Sequence, residues 1–113
     1  MRPVAFSAPV SFVPWQMTVS PDGTYLYVAS ILPRKLVRLK LPDMALDLEV
    51  DLGKPTWIPS FLPDYDVTMF PGSVAVDPTN SKRFAVSMLS STYPINQGLR
   101  IYQDATPVAE VRW

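Results

Sequence analysis

The sequence predicts an all-β chain built from two copies of one four-stranded antiparallel unit. Three observations lead there. Proline is the outlier of the composition, 13 against 4 glycines, and prolines spread along the whole chain forbid long helices. Several segments alternate apolar and polar residues with the period of two that a half-buried strand requires. The design of the first half also recurs in the second.

The first element is the hairpin in Met17 to Ser30, MTVSPDGTYLYVAS. Met17 and Val19 point one way while Gln16, Thr18 and Ser20 point the other. Ser20-Pro21-Asp22-Gly23 supplies the residues of a type I turn, with Pro21 pre-setting φ and Gly23 at the exit. Tyr25 to Ala29 is aromatic and aliphatic, as strands prefer. This hairpin is expected to serve packing.

A second hairpin follows. Leu36 to Leu41 alternates strictly, as does Leu46 to Leu52, and Pro42-Asp43-Met44-Ala45 forms the loop. The register that pairs opposite charges sets Lys40 opposite Asp47 and Arg38 opposite Glu49. Leu39 then lies opposite Leu48, and Val37 opposite Val50, on the other face.

The repeat begins at Ser73. In SVAVDPTNSKRFAVS, Val74 and Val76 match Met17 and Val19 at an offset of 57 residues (74 − 17), and Pro78 matches Pro21. Asn80 stands where the first copy has Gly23, since Asn tolerates the left-handed conformation. One extra residue follows, so Phe84 to Ser87 aligns with Leu26 to Ala29. Leu99 to Tyr102 and Val108 to Val111 then repeat the second hairpin, with Arg100 opposite Glu110. Four-stranded units of about 40–45 residues are the sequence mark of a β-propeller blade.

The expected organisation is therefore a strand of a preceding unit or an N-terminal strand in 1–14, a first blade in 15–53, a proline- and aromatic-rich inserted loop in 54–71, and a second blade in 72–113. Val10-Ser11-Phe12-Val13 reads as a strand. Two blades leave sheet faces uncovered, so the chain is expected to be a two-blade piece of a larger propeller, or one of several chains that assemble one. Val37, Leu39, Leu48 and Val50, or Leu99, Ile101, Ala109 and Val111, are the candidate exposed faces.

VSPDGTYLYVAS followed by LVRLKLPDMALDLEVDLG resembles the YVTN-type and lactonase-like bacterial β-propeller repeats, whose blades carry a Ser-Pro-Asp-Gly turn before a Tyr-Val strand. MFPGSVAVDP is similar to the Pro-Gly-x-x-Val-Ala-Val entry to blades of related surface or exported bacterial proteins. The resemblance implies the propeller fold and an exported or periplasmic setting. It implies little about activity, because one fold hosts many functions.

Composition narrows the chemistry. Lys+Arg and Asp+Glu are both 10, for a formal net charge of zero, which argues against nucleic acid as a partner. With no His and no Cys, Ser-His-Asp and Cys-His constellations, disulfides and the usual transition-metal ligands are excluded. No apolar run approaches the ~18 residues of a membrane span. Met1 to Pro9, broken by prolines, makes a poor signal peptide.

No catalytic, cofactor-binding or metal residue is assigned, and no cofactor is expected. Three groups remain. Asp64-Tyr65-Asp66 offers two carboxylates to a hard cation but not the remaining oxygens, and reads as a turn-forming loop. Asp47, Glu49 and Asp51 read as an exposed face paired with Arg38 and Lys40. Trp57, Phe61, Tyr65 and Phe70 form either a ligand platform or a loop folded against a sheet edge. The expected function is a structural or interaction module presenting loops to a protein or glycan, with other propeller blades, from the same chain or from self-assembly, as further partners. The alternative is a fragment of a propeller enzyme, a lactonase-like hydrolase with its catalytic residues elsewhere. A self-standing β-sandwich fits the length but not the repeat.

Overall fold

The computed structural model describes residues 13–32, 34–53, 69–90 and 96–111. Eight strands and no helix make up these residues. Strands β1 (Val13–Val19), β2 (Tyr25–Leu32), β3 (Arg34–Lys40) and β4 (Ala45–Val50) form one four-stranded sheet in sequence order. Strands β5 (Phe70–Asp77), β6 (Asn80–Leu89), β7 (Asn96–Gln103) and β8 (Thr106–Val111) form the second, also in sequence order. Every neighbouring pair is antiparallel. The described residues are thus all-β, with two propeller-blade-like sheets and no closed barrel among them.

The Ser-Pro-Asp-Gly turn forms as expected. Gly23 N donates to Ser20 O at 2.9 Å, and Ser20 N donates to Tyr25 O at 2.8 Å. Gly23 takes a φ of 76°, a conformation that costs glycine nothing. Asp22 Oδ1 accepts from Ser20 Oγ and Thr24 N, and Ser20 Oγ accepts from Tyr25 N, so the turn's side chains close on its own backbone.

The repeat holds residue by residue. Met17 pairs with Val28 and Val19 with Leu26 in the first sheet; Val74 pairs with Val86 and Val76 with Phe84 in the second. Pro14 and Pro71 sit at equivalent irregular places, opposite Ser30 and Met88. The last strand of each sheet carries the same bulge, opposite Arg38 and Leu39 in one and opposite Ile101 and Tyr102 in the other. Arg100 lies opposite Glu110, as the sequence predicts.

The β3–β4 register differs from the charge-pairing expectation, by one residue at Val37 and Arg38 and by two at Leu39 and Lys40. Arg38 lies opposite Leu48, Val37 opposite Glu49, Leu39 opposite Leu46 and Lys40 opposite Ala45. A bulge separates the two stretches: Asp47 is the extra residue, so the simple alternation of Leu46 to Leu52 breaks there. Leu46 is thereby sent to one face and Leu48 and Val50 to the other, and both faces take apolar residues. Cross-strand charge pairs contribute about 0.2–1 kcal/mol each, less than the ~1.5–3 kcal/mol of a buried aliphatic side chain. Val37 and Leu39 therefore do not share a face with Leu48 and Val50, and Arg38 is buried rather than exposed.

The core lies between the sheets. Tyr25, Tyr27, Leu36, Val50 and Leu52 of the first half meet Met69, Phe84, Val86, Met88 and Tyr102 of the second, with Leu48, Val74 and Val76 packed alongside. Phe84 stands between Tyr27, 4.7 Å away between centroids, and Tyr102 at 5.4 Å. A smaller cluster of Val28, Val37 and Leu39, with Leu26 and Met44, lies on the other face of the first sheet. Close to the start of β5, Gly72 is required by space: a Cβ there would run into Ser87 Oγ, which itself accepts from Ser73 N at 2.8 Å. Met17 and Val19, expected to pack, are 59% and 54% exposed.

Phe84→Ala should cost about 3–5 kcal/mol, the range for a buried aromatic removed from a packed core. Urea unfolding followed by tyrosine and tryptophan fluorescence measures it, and a loss below about 1 kcal/mol would show that the sheets do not depend on this contact.

Candidate functional site

The β1–β2, β3–β4, β5–β6 and β7–β8 turns fall at one end of the stacked sheets. Leu41 N donates to Thr24 O at 2.8 Å, tying the β3–β4 turn to the β1–β2 turn, and Asp104 N donates to Lys82 O at 2.8 Å in the second sheet. Between the β1–β2 and β5–β6 turns opens a cleft of about 370 Å³ lined by Pro21, Asp22, Asp77, Pro78, Thr79, Asn80, Ser81 and Lys82. The repeat explains the arrangement. The two proline turns are equivalent elements, and stacking the units sets them side by side.

Both carboxylates in the cleft are held by their own turns. Asp77 Oδ1 accepts from Thr79 N and Thr79 Oγ1, each at 2.8 Å. Those bonds lower the Asp77 pKa below the ordinary aspartate value. The Ser20 hydroxyl and the Thr24 amide lower that of Asp22 further, to about 2. Hydrogen bonds to the charged form favour it, so both groups stay ionised well into acid.

The cleft borders a buried arginine. Tyr27 Oη donates to Ser81 O at 2.6 Å, and Arg38 Nη1 reaches Tyr27 Oη at 3.3 Å. Arg38 Nε bonds Asp47 Oδ2 at 2.6 Å within its own sheet, and Nη2 bonds Asp104 Oδ1 at 2.8 Å in the next. Its guanidinium lies 4.6 Å from the Tyr25 ring centroid. Arg38 is 4% exposed. Burial alone pulls its pKa down, but the bonds to Tyr27, Asp104 and Asp47 outweigh it and hold the pKa above the ordinary arginine value. Burial pushes the Tyr27 phenol up, against the opposing pull of Arg38.

A second arginine bridges the sheets. Arg100 Nε bonds Glu110 Oε1 at 2.6 Å, while Nη1 donates to Leu52 O at 3.1 Å and to Tyr102 Oη at 2.8 Å. At the end of the seam away from the turns, Trp15 Nε1 donates to Pro71 O at 2.9 Å and its ring meets Phe70 edge-on at 6.3 Å.

The residues weighed from the sequence fall as follows. Asp47 pairs with Arg38, and Glu49 pairs with Lys35 at 3.4 Å. Lys40 lies opposite Ala45, so the expected Lys40–Asp47 and Arg38–Glu49 pairs are replaced. Asp51 Oδ1 accepts from Gly53 N at 2.9 Å in a local turn. Phe70 opens β5, beneath the Arg34 guanidinium and against Trp15. Asp64, Tyr65, Asp66, Trp57 and Phe61 lie outside the described residues, as does 10–12 of the Val10–Val13 segment, whereas Val13 opens β1. Sequence reasoning missed Asp22, Asp77 and Asp104 as neighbours across the seam. The available clue was the repeat itself, since each lies in a hairpin turn of a stacked unit.

Among the described residues no group of three or more acidic, His or Cys side chains is placed to hold a metal ion, and no helix is long and apolar enough to cross a membrane. The one buried side-chain oxygen without a partner among them is Ser30 Oγ. No protein-family model matches the chain, and a search of the curated proteins finds no match.

Two expectations follow. Arg38→Met should destabilise the chain by about 1–3 kcal/mol, through lost charge-assisted hydrogen bonds and a lost cation–aromatic contact. Asp104→Asn, which keeps a residue tolerant of the positive φ of 54°, should cost less. A double-mutant cycle of the two in urea should give a coupling above the ~0.5 kcal/mol that marks independent sites; additivity would remove Arg38–Asp104 as a tie between sheets.

The second concerns acid. The Asp22 pKa falls from 3.8 to about 2 on folding. Between these values the unfolded chain holds the proton and the folded chain does not, so the stabilisation present above pH 3.8 is lost as the pH falls towards 2. Asp22→Asn should flatten the fall of the urea midpoint across that window. An unchanged slope would mean that the carboxylate is not held by its turn.

Proposed function

We propose that the chain is a non-catalytic β-propeller-type interaction module whose turn end receives a protein or glycan partner. The observation supporting this is the cleft between the two proline turns. It sets two ionised carboxylates, Asp22 and Asp77, beside the Thr79 and Ser81 hydroxyls, the Asn80 amide and the Lys82 ammonium. Such a set matches the hydroxyls of a sugar or the polar groups of a peptide, because its carboxylate acceptors are held by their own turns and need little ordering on binding.

The same features disfavour acid–base chemistry at the cleft. A general acid must keep its proton near neutral pH, which requires a raised carboxyl pKa, whereas both carboxylates here are lowered. Without histidine in the chain, the common general base is missing as well. The kinship to YVTN-type and lactonase-like repeats belongs to the same proposal and rests on the blade motifs alone.

The test is a glycan and peptide array probed with the whole chain. Asp22→Ala with Lys82→Ala should lower binding at least tenfold, about 1.4 kcal/mol, while circular dichroism stays unchanged. Retained binding in that variant would move the site elsewhere. Lactone or ester hydrolysis by the chain, lost in Asp22→Ala or Asp77→Ala, would overturn the non-catalytic assignment.

A further inference from the structure

The two sheets meet through different faces. The first sheet contributes the face of Thr18, Tyr27, Leu36, Leu48 and Val50. The second contributes the face of Val74, Val76, Phe84, Val86 and Tyr102. Through the repeat, the second set corresponds to Met17, Val19, Leu26, Val28 and Leu39 of the first sheet, all on its opposite face. The first set corresponds to Ala75, Ala85, Leu99, Ala109 and Val111 of the second sheet, which face away from the first. The contact is therefore head-to-tail, and each outer face repeats one half of it.

Both outer faces carry apolar side chains in the open. On the first sheet, Met17, Val19 and Leu46 are 59%, 54% and 37% exposed, beside the buried Val28, Val37 and Leu39. On the second, Val111 is 56% exposed and Ala75 and Ala109 are exposed too. An apolar groove of about 240 Å³ opens over Ala75, Ala85 and Ile101 there. A head-to-tail contact does not use itself up: it continues into a ring if the rotation closes and into an open series if it does not.

We infer that copies of this chain associate head-to-tail, the Met17/Val19/Leu46 face of one copy seating on the Ala75/Ile101/Val111 face of the next. The occupant is a second copy because each open face is apolar and holds, in its own sheet, the position of a face that the same chain already pairs with its complement. The inference rests on the two sheets being successive blades. Closed rings of such sheets hold 4–8 blades, which corresponds to about two to four copies.

The internal contact supplies the test. Thr18 Oγ1 donates to Val74 O at 3.4 Å across the seam. The equivalent pair between copies is Ala75 of one and Met17 of the next. The chain has no cysteine, so introduced thiols react alone. Met17 and Ala75 project from opposite outer sides of the stacked sheets, so a short bismaleimide cannot join them within one chain.

With Met17→Cys and Ala75→Cys in the same chain, cross-linking should yield dimers and larger species, and sedimentation of the unmodified chain should show assemblies in the micromolar range. Thr18→Cys with Val74→Cys should link within a single chain. Should that internal pair link while the Met17/Ala75 pair does not, the blades stack as described and the association is refuted. Failure of both overturns the stacking and the association together. Linking of the single Met17→Cys variant to itself would replace the head-to-tail contact by a two-fold one and overturn the proposal. So would an unmodified chain that sediments as a monomer up to millimolar concentration.

Discussion

Phe84 between Tyr27 and Tyr102 is the contact on which the remaining structure depends. A sheet of four short strands exposes two faces, and neither sheet buries enough apolar surface by itself to offset the entropy of ordering its chain. The ring stack joins the two inner faces over a strip that includes Val86, Met88, Leu36 and Val50. Once that strip is buried, polar groups at its margins must be satisfied without water, which is why the two arginines bond across the seam rather than outward.

Arg38 illustrates the cost and its compensation. An arginine removed from solvent in a sheet face is strongly destabilising unless its donors are met. Three oxygens meet them, from Asp47, Asp104 and Tyr27. Asp47 reaches it from the β4 bulge, and Asp104 from a turn position with a positive φ. Two local irregularities in different sheets thus serve one buried charge. They also fix how far one sheet slides on the other, since a shift of one residue would separate Asp104 from the guanidinium.

What the sequence disclosed follows from the range of the interactions involved. The Ser-Pro-Asp-Gly turn was readable because its determinants lie within six residues and bond to one another. The repeat was readable because Met17/Val19 and Val74/Val76 obey the same period. The β3–β4 register was not, because alternation carries no mark of a bulge, and the charge pattern of Arg38, Lys40, Asp47 and Glu49 pointed to a different register. The cleft was not readable either. Asp22 and Asp77 are far apart in sequence, and only the stacking of units brings their turns together. Nor does period-two alternation reveal the outward face of Met17 and Val19, for it separates faces without saying which one is covered.

The equivalent slots of the two sheets complete the physical picture. Arg38 in the first sheet and Ile101 in the second occupy the same place, each opposite the residue that precedes the bulge pairing, Leu48 and Ala109. The slot holds a charge where the adjoining sheet supplies an aspartate, and an aliphatic residue where the face lies open. Likewise Tyr27 corresponds to Ala85, and Leu48 to Ala109. The covered face of the first sheet therefore carries aromatic and charged groups that need specific partners, and its open counterpart on the second sheet carries aliphatic ones that need only contact. A surface of the first kind is fixed by bonds and one of the second by shape alone, and that difference separates the seam inside the chain from the outer face beside it.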